Sequence, residues 1–260
     1  MSSKKVELKH ISSNPSANFS DSFSADISKL KLVVFDMAGT TIHDGGEVSR
    51  AFRQALLGRH VETTDSDLRA IRGASKREAI RTLLKQSGTV PINSLGAVAE
   101  QVYTEFCDIL KELFTSEGVV IVDGLLKTLA FLRTRRIHVV LNTGFDREIA
   151  TLLLNSLIVT NPQLDSTLVD AVICGDDVPQ GRPAPYMIFR AMEKTGVHSV
   201  HNVMAVGDTV LDIEAAWNAG VAWRIGVLSG AHGKSELEAS VASAVIDSVA
   251  ELPNLIDGIS

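Results

Sequence analysis

Leu32-Val33-Val34-Phe35-Asp36-Met37-Ala38-Gly39-Thr40-Thr41 is the stretch on which the fold reading turns. Four consecutive apolar residues, two of them β-branched, fit a strand buried on both faces, and the run closes with a carboxylate, a glycine turn and two hydroxyls. Such a segment predicts a parallel strand whose carboxyl end carries Asp36, the edge where open α/β sheets bind ligands. Working outward, comparable runs recur at 137–141, 169–173, 203–206 and 225–228, separated by helical stretches. The alternation predicts an α/β fold, a Rossmann-like parallel sheet with helices on both faces.

The alternation fails between 47 and 118, where helices are expected at 47–60, 65–72, 76–86 and 97–116 with no strand between them. This block reads as an inserted α-helical cap, entered near Asp44-Gly45-Gly46 and left near Ser116-Glu117-Gly118. The core then comprises 27–46 and 119–260. Residues 1–26, rich in Ser and poor in large apolar groups, read as a disordered tail. The tail has no apolar core of a signal peptide, and it carries no Arg but has Glu7, Asp21 and Asp26, unlike a transit peptide. Cys107 and Cys174 form no C-x-x-C pair, which fits a reducing compartment, and a cytoplasmic location is expected. Lys plus Arg is 25 against 31 Asp plus Glu, and the net charge of -6 opposes binding to nucleic acid or an anionic membrane. No apolar run reaches the roughly 20 residues of a membrane span.

Three more strand ends carry chemistry. Ala205-Val206-Gly207-Asp208-Thr209, followed by Asp212, delivers further carboxylates to the Asp36 edge. Together Asp36 and Asp208 could hold a hard cation such as magnesium, which takes oxygen ligands and keeps waters or phosphate oxygens. Asn142-Thr143-Gly144 offers a hydroxyl and backbone N–H groups to an anion at a helix start. Gly181-Arg182-Pro183 supplies a cation. Taken singly, Asp36, Thr143 and Asp208 also suit helix caps, and Arg182 a solvated charge. Four such groups in order after four strands favour one common site.

From about Lys31 to Val249 the constellation resembles the haloacid dehalogenase superfamily, whose four motifs match in order. The resemblance implies that Asp36 is a nucleophile forming an aspartyl-phosphate, and that Thr143, with Thr40 and Gly144, binds the transferring group. Arg182 would neutralise that group and orient Asp36. Magnesium would sit on Asp36, the Ala38 carbonyl and Asp208, with Asp212 in support. Ala38 departs from the ordinary phosphatases of the superfamily, which carry there a second Asp for acid–base help worth on the order of 100- to 10,000-fold. The same Ala, Arg182 in place of the usual Lys, Thr143-Gly144-Phe145-Asp146-Arg147, the stretch 176–183 and the stretch 207–212 are similar to the phosphonoacetaldehyde hydrolase branch. That branch cleaves a carbon–phosphorus bond through a lysine imine, and Lys76 stands where its lysine does.

Ser75 and Glu78 have capping-box spacing, which places Lys76 first in a helix. There the helix dipole and the neighbours Arg72 and Arg77 favour the neutral amine. Gly73-Ala74-Ser75-Lys76 also resembles the cap loop of β-phosphoglucomutase-like members, where a basic residue only binds a second phosphate, and Ala79 replaces the phosphonatase histidine. Lys76 is thus an imine former, an anion contact or a bystander. The corresponding functions are carbon–phosphorus cleavage of a 2-oxoalkyl phosphonate, hydrolysis of a phosphate monoester, or weakly catalytic binding of a phospholigand. A homodimer through the cap is the partner that the resemblance implies, beside a small-molecule substrate. His43 reads mainly as a surface-turn residue. Met37, Met187, Met192, Trp217 and Trp223 read as core or cleft lining, and Arg133-Thr134-Arg135-Arg136 as a solvated helix end.

Overall fold

The computed structural model describes residues 26–164 and 167–259, so the tail expected over 1–26 lies, up to residue 25, outside the described residues. Six parallel strands form one sheet: β1 (Leu32–Asp36), β2 (His138–Asn142), β3 (Ala171–Ile173), β4 (Val203–Gly207), β5 (Trp223–Val227) and β6 (Ala244–Ile246). Their spatial order is β3-β2-β1-β4-β5-β6. The chain leaves β1 to one side for β2 and β3 and returns to the other side for β4 to β6. The carboxyl end of β1 is therefore a switch point, where a crevice opens between diverging connections. Register places Asp36 opposite Asn142 and Phe35 opposite Val206. One strand periodicity thus aligns the groups that follow β1, β2 and β4.

Alternate side chains of the buried strands feed two cores. Val33, Phe35, Val139, Leu141, Met204 and Val206 share one face with α5 (Leu125–Thr134), α6 (Arg147–Thr160) and α10 (Leu252–Ile259). Leu32, Val34, Val140, Val203 and Ala205 face α7 (Tyr186–Thr195) and α8 (Val210–Asn218). This three-layer arrangement is why the strands read as unbroken apolar runs. α9 (Lys234–Ala239) lies between β5 and β6 in the chain.

Between β1 and β2 stand α1 (Glu47–Leu57), α2 (Asp65–Ala70), α3 (Lys76–Ser87) and α4 (Leu95–Glu117), followed by α5. In α4 the buried residues Leu95, Ala99, Val102, Phe106, Leu110 and Phe114 recur every three or four positions, one stripe of a 3.6-residue helix. Phe52 of α1 meets Phe106 at 4.6 Å between ring centroids. Ala79, Ile80, Leu83 and Leu84 bury the matching face of α3.

Several local expectations need correction. β3 is shorter than 169–173 because the Asp170 carboxylate, not a strand carbonyl, accepts the Val139 N–H at 2.7 Å. β5 begins earlier than 225–228, at Trp223. Arg224 lies buried within it, its guanidinium satisfied by the carbonyls of Val241 and Val221 at 2.7 Å each. A charge in a strand is tolerated when buried donors find acceptors. β6 was not foreseen, for three residues are too few to show a period. Trp217 is half exposed, with the Arg224 guanidinium over its ring, and is neither core nor cleft lining. Ser75 caps α3 by position, but its side chain makes no capping bond, so the Ser75–Glu78 box does not form.

Candidate active site

Asp36 ends β1 and is nearly fully buried. The following turn folds on the Met37 carbonyl, which accepts the N–H groups of Thr41 and Ile42 at 2.9 Å each. The tight turn aims Thr40 inward. Its hydroxyl donates to Asp208 Oδ1 at 3.3 Å, and the side chain is wholly buried outside the cleft. Thr40, expected as a phosphate contact, thus has its hydroxyl on Asp208, a geometry that steadies that carboxylate. The Ala231 N–H donates to Asp208 Oδ2 at 2.7 Å, so the loop after β5 steadies the same carboxylate.

Arg182 is 3 % exposed, which dismisses the solvated-charge alternative. One guanidinium nitrogen lies 2.7 Å from Asp36 Oδ1 and the other 2.9 Å from Asp212 Oδ1. The Asn142 side-chain oxygen accepts from it at 2.5 Å. Burial opposes the charge on Arg182, but Asp212 and Asp36 outweigh it and hold the group above its ordinary value. Asp212 also accepts from the Thr209 hydroxyl at 2.6 Å in the capping box of α8, so the helix cap fixes the arginine's second partner. Thr143 accepts the Phe145 N–H at 3.2 Å and keeps its hydroxyl hydrogen to donate into the cleft that it lines.

Lys76 enters this cleft from the helical insertion. Asp36, Ala38, Thr143, Gly144, Arg182 and Asp208 line it from the sheet side. Lys76 Nζ donates to the Ala74 carbonyl at 3.4 Å and lies 5.2 Å above the Phe145 ring centroid. Burial pushes its amine down to about 8, with Arg182 acting in the same direction and Asp36, Asp44 and Asp208 opposing. Arg72 and Arg77 are not the cause expected from sequence. Arg72 is paired with Asp44 at 3.0 Å, and Arg77 with Glu100 while stacked on Tyr103. Asp36 is raised from 3.8 to about 6 by burial, with Asp212 adding and Arg182 opposing. Burial and the like charges of Asp36 and Asp212 push Asp208 well above the ordinary carboxylate range.

Two glycines allow the insertion to approach so closely. A Cβ on Gly144 would fall 2.7 Å from the Ala74 carbonyl oxygen. Gly73 has φ +84, and a Cβ there would meet the Thr209 hydroxyl at 2.5 Å. Steric room at this seam, beside any anion contact at Gly144, explains why glycine stands there. Asp44, Ser49, Arg72 and Phe145 also line the cleft and were not singled out from sequence as site residues. The only local signal for Asp44 was its place in the linker after β1. His43 is exposed and lies outside the cleft lining.

A divalent cation suits this donor set. The cleft offers two carboxylates whose mutual repulsion disfavours the ionised forms, a cost that a bound cation would offset. Among the described residues no group of three or more His, Cys, Asp and Glu side chains is arranged to hold a metal. Asp36, Asp208 and the Ala38 carbonyl are the oxygens of the cleft lining that would hold such a cation, and all-oxygen ligation suits a hard ion.

A strand-end carboxylate, a neighbouring hydroxyl, a buried cation and a second carboxylate in this order define a class. The chain belongs to the haloacid dehalogenase-like hydrolase family, whose model matches residues 30–220, and it is a hydrolase. Within that family it is 32% identical over 232 residues to the phosphonoacetaldehyde hydrolase of Bacillus cereus (strain B4264), covering 85% of this chain and 83% of that protein. A hydrolase from Pseudomonas syringae superposes with TM-score 0.76 at 22% identity, covering 88% of this chain and 99% of the other. A phosphonoacetaldehyde hydrolase-like protein from Oleispira antarctica does so with TM-score 0.72 at 23% identity, covering 89% and 92%. These two structures share the α/β fold of the chain. Among the described residues no helix is long and apolar enough to cross a membrane.

Proposed function

We propose that this hydrolase cleaves the carbon–phosphorus bond of phosphonoacetaldehyde or a related 2-oxoalkyl phosphonate, with magnesium as cofactor and the helical insertion as a cap. The observation that carries the reading is one cleft lined by both Asp36 and Lys76, the amine of Lys76 being pushed down to about 8. The curated relative at 32% identity points the same way.

The Lys76 amine adds to the substrate's carbonyl carbon, and loss of water leaves a cationic imine. An Asp36 oxygen attacks phosphorus as the carbon–phosphorus bond breaks. The bonding pair goes to carbon and neutralises the imine to an enamine. Protonation of the enamine carbon and hydrolysis free Lys76 and the aldehyde, acetaldehyde where the substrate is phosphonoacetaldehyde. Water then hydrolyses the aspartyl-phosphate, returning Asp36 and releasing phosphate. Arg182, locked by Asp212 and Asn142, orients Asp36 and faces the phosphonate charge. Thr143 and the Gly144 backbone complete the phosphonate seat. Magnesium, held by Asp36, Asp208 and the Ala38 carbonyl, would supply positive charge to the phosphoryl oxygens. Since carbon leaves with its electrons in an enamine, no alkoxide needs a proton, which accords with Ala38 where a carboxylic acid would otherwise serve.

The test is borohydride reduction in the presence of phosphonoacetaldehyde, paired with Lys76→Arg. An adduct on Lys76 by mass spectrometry, and loss of cleavage in the variant with phosphonate affinity retained, are expected, because a guanidinium stays protonated and does not condense. Full phosphate release by Lys76→Arg with no adduct on the wild type sinks the imine. The cation would then be an anion contact in a phosphate-ester phosphatase or a phospholigand-binding protein.

A further inference from the structure

Imine formation moves protons, and the proton carrier is not among the residues assigned so far. At neutral pH most of the Lys76 population is ammonium, which cannot add to a carbonyl, and the adduct's hydroxyl must later leave as water. Of the titratable side chains lining the cleft, Asp36 is committed to phosphorus and Asp208 to the cation. Arg72 and Arg182 do not release protons at ordinary pH. No histidine lines the cleft among the described residues, and positions 38 and 79 are alanine. One carboxylate remains, Asp44.

Asp44 lies on the linker between β1 and α1, and its carboxylate is held in a fixed pose. Oδ1 accepts the Gly46 N–H at 2.9 Å and Oδ2 accepts from Arg72 at 3.0 Å. Arg72 is steadied in turn by the Ser49 hydroxyl at 3.3 Å. The Asp44 side chain is 14% exposed, so solvent can recharge it while it faces the cleft. The charged groups lining the same cleft are Arg72, Lys76, Asp36, Arg182 and Asp208, and the negative charge of Asp44 is among those that favour the Lys76 ammonium.

We infer that Asp44 is a further catalytic residue, the general base and acid of imine formation at Lys76, an assignment that rests on the imine reading above. Its carboxylate takes one proton from the Lys76 ammonium, directly or through one water, and the free amine adds to the carbonyl carbon. A proton passes from nitrogen to the carbonyl oxygen. Asp44 then returns its proton to the resulting hydroxyl, which leaves as water while the C=N bond forms. The ammonium's three protons end as one on the imine nitrogen and two in water, and Asp44 is ionised again.

The experiment measures borohydride-dependent inactivation by phosphonoacetaldehyde in wild type, Asp44→Asn and Asp44→Ala, each shown folded by its thermal melting. The amide of Asp44→Asn still accepts the Gly46 N–H, so the linker is retained while the base is lost. Trapping is expected to slow roughly 100-fold in both variants. Added formate is expected to restore part of the rate in Asp44→Ala, which a purely structural role would not allow. Trapping of Asp44→Asn at the wild-type rate overturns the assignment, as does a loss in Asp44→Ala that formate does not relieve. If the wild type itself is never trapped, the imine reading fails and Asp44 with it; a trapped wild type beside an unaffected Asp44→Asn removes Asp44 alone.

Discussion

Asp36→Asn is expected to abolish turnover and to stabilise the metal-free protein. The rise from 3.8 to about 6 means that ionised Asp36 costs the folded state about 3 kcal/mol, even with Arg182 at 2.7 Å. An amide has no charge to desolvate, and its oxygen still accepts from Arg182, which keeps Asp212 as counter-charge. Relief of part of that cost gives about 1–3 kcal/mol at about pH 8, or roughly 3 to 10 °C in Tm for a chain of this size. The sign follows from linkage. A carboxyl whose folded pKa is raised contributes full stability below its unfolded value and loses it as pH rises through the folded one. The advantage of the variant is therefore full above about pH 6, shrinks as pH falls toward about 4 and is gone well below it, where wild-type Asp36 is protonated in both states. The assay is urea or thermal unfolding in a chelator at the two pH extremes, beside phosphate release with magnesium. Wild type should gain more from added magnesium than the variant, since binding to the folded state alone stabilises by mass action. A variant less stable than wild type at the higher pH, or equally favoured at both, refutes the burial argument. Phosphate release above roughly a hundredth of wild type refutes the nucleophile.

Gly144→Ala should place a methyl 2.7 Å from the Ala74 carbonyl and hold the insertion off the sheet edge. If overpacking costs about 1–3 kcal/mol in seating the insertion over the cleft, kcat/KM falls roughly 5- to 150-fold, and an unchanged value would show that the seam yields freely. In Asp44→Asn, where no carboxylate takes the ammonium proton, kcat/KM for phosphonoacetaldehyde should rise with pH and level off above about 8, because only the neutral amine of Lys76 adds to a carbonyl. A flat profile across that range contradicts a titrating nucleophile. Ala38→Asp should raise hydrolysis of phosphate monoesters by supplying an acid for an alkoxide leaving group, and a folded, magnesium-binding variant with no gain argues against that reading of the position.

The run at 32–35 closed by Asp36 was legible in one dimension because a strand buried on both faces needs only consecutive apolar residues and a turn. The same local physics exposed the other long strands and the helices of the insertion, α4 most plainly through its apolar stripe. It also put Lys76 at the start of α3, although by a capping box that does not form. β6 and the start of β5 escaped, the first for shortness and the second because Arg224 finds its acceptors on residues distant in the chain. What only the tertiary structure decided is who faces whom. Arg182 meets Asp36 across 146 residues of chain through the strand order, and Thr40 turns to Asp208 across 168. Gly144 must be glycine because a loop 70 residues earlier in the chain rests on it, as the Ala74 carbonyl shows. The depressed amine of Lys76 has the same origin. Sequence neighbours suggested Arg72 and Arg77, whereas folding gave both arginines to carboxylates and lowered the lysine by burial, since desolvation depends on what surrounds a group in space and not on what adjoins it in the chain.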